Sequence, residues 1–190
     1  MDPSDDSRFY AVERKVVHIE SGAIEALRQA YDRLLSAEGP VLDLMSSWRS
    51  HLPERVDAVT GLGMNAAELR ENPQLAQTVV HDLNRDPVLP FADEAFAAVV
   101  CAVSVQYLIR PLEVFADVRR VLRPRGPLVV SFSNRCFPTK AVAVWRGGDD
   151  RAHVALVRAY LERAGFKSVT DEQPASPDDP LFLVHGRRPH

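Results

Sequence analysis

The sequence predicts a doubly wound α/β fold, a seven-stranded and mostly parallel sheet with helices on both faces, and three adjacent stretches carry that prediction. Residues 95–103 are almost wholly apolar and rich in Val and Ala. A strand with no polar face must be covered on both sides, which parallel sheets under helices provide. Behind it, Pro111 suits a first helical position, and Val114, Phe115, Val118, Val121 and Leu122 recur at helical spacing. Arg119, Arg120 and Arg123 crowd the end of that helix, where the carbonyl dipoles favour cations. Pro124 and Gly126 then stop it, and 127–132 reads as the next buried strand. Strand, crossover helix and strand make one parallel unit.

The remaining elements follow in chain order. Residues 1–8 are acidic and polar, the composition of neither a signal peptide nor an anchor, and are expected to be disordered. Residues 9–20 are mixed and read as an irregular arm across the domain. Ser21 is a plausible cap for a helix whose apolar stripe is Ile24, Leu27, Tyr31 and Leu34. Gly39-Pro40 closes that helix, and 41–45 is the first core strand. The second strand is expected at 56–62, a short helix at 66–70 broken before Pro73, and the third strand at 75–81. After the parallel unit, 150–164 is amphipathic, with Val154, Val157, Leu161 and Ala164 on one face and Gly165 closing it. Residues 166–170 and 181–185 are two closing strands joined by a Pro- and Asp-rich loop. One domain of 1–190 results, with an arm and helix at 9–38 and a sheet core at 41–187.

Composition excludes several function classes. A net charge of −3 argues against nucleic acid, whose phosphates require a basic face, and Arg187 and Arg188 read as solvated tail. Cys101 and Cys136 make neither a disulfide framework nor a metal cluster, so a reducing, cytoplasmic setting is the default. No apolar run approaches a membrane-spanning length. Gly61 and Gly63 lack the third glycine and the position of a dinucleotide fingerprint, which leaves a nicotinamide-dependent oxidoreductase little support.

Three motifs carry a resemblance: Leu89-Pro90-Phe91-Ala92-Asp93-Glu94-Ala95-Phe96, Ser104-Val105-Gln106-Tyr107-Leu108, and Val121-Leu122-Arg123-Pro124-Arg125-Gly126. In this order they resemble the small-molecule, type 11-like branch of the class I S-adenosylmethionine-dependent methyltransferases. The resemblance covers about 41–187 and implies a Rossmann-like sheet whose last strand is antiparallel. It also implies S-adenosylmethionine as cofactor, a small-molecule methyl acceptor, and no nucleic-acid or membrane partner.

In such sheets ligands bind outside the carboxyl ends of the strands, where the strand order reverses. After strand one the family usually carries glycines where Met45, Ser47 and Arg49 stand here, so the loop is degenerate. Asp43 could fix the loop through backbone amides or meet the cofactor's ammonium group. Ser46 and Ser47 could bind its carboxylate, with Arg49 as charge partner; alternatively Ser46 caps a short helix, Trp48 packs and Arg49 is solvated. The ribose-binding acid of the family falls on Gly63, Met64 takes the place that packs on adenine, and Asn65 caps the next helix or reaches the ribose. The resemblance places the adenine amino group on Asp82 and a ring nitrogen on the Leu83 amide, against the alternative of an Asx turn at Asp82. Ala102 and Val103 offer carbonyls, and Ser104 follows at the pocket floor.

Methyl transfer from a sulfonium is an in-line displacement, driven largely by alignment, with a base needed where the acceptor loses a proton. His51 is the best placed of His18, His51, His81 and His153; Gln106 and Asn134 complete the catalytic candidates, and Tyr10, His18 and Trp145 lie on segments that could roof the pocket. The competing hypothesis is a non-catalytic binding protein that kept the fold, its pocket filled by Met45, Trp48 or Arg49.

Overall fold

The computed structural model describes residues 9–10, 12–13, 15–35, 39–176 and 179–190; the expectation for residues 1–8 lies outside them. The elements are α1 (Ser21–Leu34), β1 (Val41–Leu44), β2 (Val59–Gly63), α2 (Ala66–Glu71), β3 (Gln77–Val80), β4 (Ala98–Ala102), a 3-10 turn (Val105–Tyr107), α3 (Pro111–Val121), β5 (Pro127–Ser133), α4 (Ala143–Arg146), α5 (Asp150–Arg163), β6 (Lys167–Glu172) and β7 (Leu181–Arg187). The strands form one sheet in the order β3-β2-β1-β4-β5-β7-β6. Pairing is parallel from β3 through β5, and β7 runs antiparallel to both β5 and β6.

Alternation along the strands sends side chains to two cores. Leu42, Leu44, Val99, Cys101, Leu128 and Val130 pack with Val114, Phe115 and Val118 of α3 and Val157 and Leu161 of α5. Val41, Val59, Ala98, Val100 and Val129 pack with Ala23, Leu27 and Tyr31 of α1. Both faces are therefore covered, as continuous apolar strands demand. No helix among the described residues is long and apolar enough to cross a membrane.

Several boundaries differ from the sequence reading, each for a local reason. Ser21 is the first helical residue and not the cap; the capping position is Glu20, whose amide donates to Asp179 Oδ2 at 2.8 Å. β2 begins at Val59 because the Val56 amide closes a turn onto the Pro53 carbonyl. β3 begins at Gln77 because the Leu75 amide turns back onto Asn72. β4 begins at Ala98, since Phe96 forms a separate bridge to Leu122. Arg187 ends β7, and the Arg188 amide donates to the Gly126 carbonyl while its guanidinium reaches the Leu122 carbonyl, so neither is solvated tail.

Candidate functional site

The strand order reverses between β1 and β4, and a cleft opens there over the carboxyl ends of β1 to β4. With its mouth included it holds about 1160 Å³ of empty space. Asp43, Met45, Ser46, Ser47, His51, Gly63, Met64, Asn65, Asp82, Leu83, Val103 and Ser104 all line it, as do Trp48 and Arg49. From the arm, Tyr10, Val16, Val17 and His18 close one side, facing Tyr107 and Phe137.

The loop after β1 holds its shape without glycine. Asp43 is 2 % exposed, and its Oδ2 accepts from Ser46 Oγ at 2.5 Å and Ser50 Oγ at 2.7 Å. The hydroxyls, and not backbone amides, are what it gathers. Burial pushes the Asp43 carboxyl up to about 6, with the two serine hydroxyls opposing the rise. Asn72, also buried, donates to the Ser47 carbonyl at 2.9 Å and to Ser50 Oγ at 2.8 Å. Gln74 clasps the Leu52 backbone from both sides. Ser47 Oγ donates to Glu68 Oε2 at 2.6 Å.

Three cleft residues sit at positive φ although none is glycine: Met45 at 59°, His51 at 57° and Val103 at 43°. Such conformations cost about 1–3 kcal/mol each and gather where surrounding structure over-determines them. Met45 thus follows a path natural to glycine with a side chain attached. Gly63 is glycine for a different reason. A Cβ there would lie 2.2 Å from the Ser46 carbonyl oxygen, so the loop occupies the space a side chain would need.

Asn65 caps α2: its Oδ1 accepts from the Ala67 and Glu68 amides, while its Nδ2 donates to the Tyr10 carbonyl. Asp82 forms an Asx-type turn, its Oδ1 accepting from the Asn84 amide at 2.9 Å. Asn84 ties this loop to the 3-10 turn, donating to the Tyr107 carbonyl and accepting from the Ile109 amide. Trp48 Nε1 donates to the Val16 carbonyl at 3.3 Å, and the Arg49 guanidinium lies over the Trp48 ring at 4.4 Å.

Several candidates stand elsewhere. Gln106 is 1 % exposed and turned inward, its Nε2 donating to the Val103 carbonyl, so it does not reach the cleft. Asn134 is exposed past the end of β5 and is absent from the cleft wall. Trp145 is buried and stacks on His153, rings 4.1 Å apart, and His153 Nε2 bonds the Trp145 carbonyl. Both belong to the core and not to a roof. His51 does line the cleft; burial, with Arg28, Arg49 and His18 adding to it, lowers its imidazole to about 4. His18 is likewise lowered by burial, against the opposing pull of Glu68. The Cys101 thiol, buried and pushed up to about 12, stays protonated.

Glu68, Ser50, Asn72 and Gln74 were not legible as site residues. The spacing of Ser46 and Ser50 three and seven residues after Asp43 is the one local hint, a polar cluster following a buried strand.

Residues 46–130 match the profile of a methyltransferase domain. Over 116 residues the chain is 37% identical to a malonyl-[acyl-carrier protein] O-methyltransferase of Geobacter sulfurreducens, covering 53% of this chain and 43% of that protein. Over 168 residues it is 25% identical to a biotin biosynthesis bifunctional protein of Teredinibacter turnerae, covering 85% and 27%. The chain thus spans less than half the length of either relative. Its fold is similar to that of an S-adenosylmethionine-dependent methyltransferase from Mesorhizobium loti, with TM-score 0.61, 17% identity and coverage of 86% and 98%. A methyltransferase from Haloferax volcanii, solved with its Trm112 activator, gives TM-score 0.65 at 16% identity, covering 87% and 89%.

Proposed function

We propose that this chain, whose residues 46–130 match a methyltransferase domain and whose fold is similar to that of S-adenosylmethionine-dependent methyltransferases, binds S-adenosylmethionine over β1 to β4 and transfers the methyl group to a small molecule. One observation carries this reading: a cleft lies over the strand reversal and is lined from all four strand ends, although its first loop lacks glycine. Met45, Trp48 and Arg49 stand in its wall, the Arg49 guanidinium laid over the Trp48 ring.

The donor set suits an adenosyl group. Met64 offers apolar surface for a flat base, the Leu83 amide a donor for a ring nitrogen, and Asp82, whose Oδ1 is held in its turn, the other carboxylate oxygen for the amino edge. The loop that bears Ser46 and Ser47 is already fixed by Asp43 and Asn72, so little ordering remains on binding. The cofactor would supply an electrophilic methyl carbon, to which an acceptor lone pair bonds while the carbon–sulfur pair returns to sulfur. The protein's part is alignment and exclusion of water, with Tyr10, His18, Tyr107 and Phe137 forming the side left for the acceptor. His51 is neutral and able to accept a proton above about pH 4, but as a weak base. That favours an acceptor atom carrying no proton when it attacks.

Calorimetric titration with S-adenosylhomocysteine tests the reading before any acceptor is known. We expect a Kd of about 100 μM or tighter, one ligand per chain, with a matching rise in Tm. Absence of heat and of any Tm shift at millimolar ligand would reject it.

A further inference from the structure

Resting on the cofactor reading above, we infer that the methyl acceptor is an uncharged, flat heteroaromatic molecule, seated against Phe137, Tyr107 and His18, whose ring nitrogen takes the methyl group. These three side chains all line the cleft, and they come from three separate parts of the chain.

Phe137 is the hub of that side. The His18 ring meets it edge-on, with centroids 4.9 Å apart and planes at 84°, and the Tyr107 ring lies 6.1 Å away at 31°. Rings at such separations attract one another edge-on or offset. The Phe137 amide donates to Tyr107 Oη at 2.8 Å, which fixes the loop after β5 against the 3-10 turn. On the arm, Trp48 Nε1 holds the Val16 carbonyl two residues before His18. Phe137 and His18 are only half-buried, so their rings keep surface for a further planar group.

Burial lowers the His18 imidazole, against the pull of Glu68, and raises the Tyr107 phenol, so both groups are uncharged at neutral pH. Arg49, the one Lys or Arg lining the cleft among the described residues, lies over the Trp48 ring. An anionic acceptor seated on Phe137 would thus be desolvated without a cation beside it. His18 makes no hydrogen bond to another described residue, so its ring nitrogens are left for a polar atom on the ligand's edge. A heterocycle offers both the flat face and that polar edge. The chemistry agrees with the surface. A ring nitrogen attacks through a lone pair that carries no proton, so it makes no demand on His51, a weak base. The nitrogen–carbon bond forms as the carbon–sulfur bond breaks, the bonding pair returns to sulfur, and the positive charge passes to the N-methylated ring. Aromatic faces favour a cation at that place.

Calorimetry on protein saturated with S-adenosylhomocysteine tests this with isoquinoline, 2-naphthoate and N-methylpiperidine as probes. Isoquinoline should bind with a Kd of about 1 mM or tighter, and each of the others at least about tenfold more weakly. Phe137→Ala should weaken isoquinoline about tenfold while its affinity for S-adenosylhomocysteine moves less than about threefold. The inference is overturned, with the cofactor reading intact, if the loaded protein ignores isoquinoline or takes either other probe as tightly. It is overturned likewise if Phe137→Ala leaves isoquinoline binding unchanged or weakens S-adenosylhomocysteine equally. Should Phe137→Ala fail to fold, the ranking of the probes on wild type decides alone. A wild-type protein that does not bind S-adenosylhomocysteine overturns both.

Discussion

Asp43 and Gly63 show how single positions set this cleft. Both stand at strand ends, yet they act in opposite ways: one gathers hydroxyls, the other leaves room for a carbonyl. Asp43 entered the sequence reading through the resemblance, as the residue before the loop that lacks the family's glycines. The role of Gly63 was not legible there, since its reason lies on a loop 17 residues earlier in the chain. Gly63→Ala should therefore destabilise the protein by about 2–4 kcal/mol, because the obstructing atom is backbone and cannot rotate away. Gly147→Ala, where the nearest atom to a Cβ lies at 3.9 Å, is the control and should stay within about 0.5 kcal/mol of wild type. Urea unfolding of the two variants side by side reads the difference, and equal midpoints would contradict the geometry.

The segment 89–96, one of the three motifs that carry the resemblance, is held by one helix. Arg120 of α3 uses five hydrogen bonds: Nε and Nη2 to the Asp117 carboxylate, Nη1 to the Phe91 carbonyl and Asp93 Oδ1, and Nη2 to the Leu89 carbonyl. Asp117 also accepts from the Leu89 amide at 2.7 Å. These contacts fasten the lead-in to β4 against α3, with Phe96 bridging to Leu122 beneath. The motif thus marks a structural clamp and not a ligand contact. Arg120→Ala should cost about 2–3 kcal/mol, since it strips charged donors from carbonyls that are partly buried. Arg120→Lys should recover little of this, because an ammonium has three donors and no planar fork. A shifted urea midpoint at constant slope would bear this out; wild-type midpoints in both would sink it. The clamp was readable as a motif, and helix α3 as a periodic pattern, but nothing local paired Arg120 with residues about 30 positions upstream.

Across the whole molecule, burial of two cleft groups makes stability depend on pH in opposite directions. Asp43 rises from 3.8 to about 6 on folding, so its contribution is fully present below about pH 4 and is lost as pH rises through about 6. His51 falls from 6.5 to about 4, so its contribution is present above about pH 6.5 and is lost as pH drops through about 4. Removing the titrating carboxyl separates them. The stability of Asp43→Asn relative to wild type should climb by up to about 3 kcal/mol between pH 4 and pH 7. Parallel curves over that range would show that Asp43 is not desolvated as described. The architecture and the order of its elements were written in apolar runs and helical periods, which are local signals and survive being read along a line. The cleft's wiring was not, because Ser47 meets Glu68 and Ser50 meets Asn72 across 21 and 22 residues of chain. A hydrogen bond is decided by a few tenths of an ångström between groups that folding brings together, and no spacing in the chain encodes that distance.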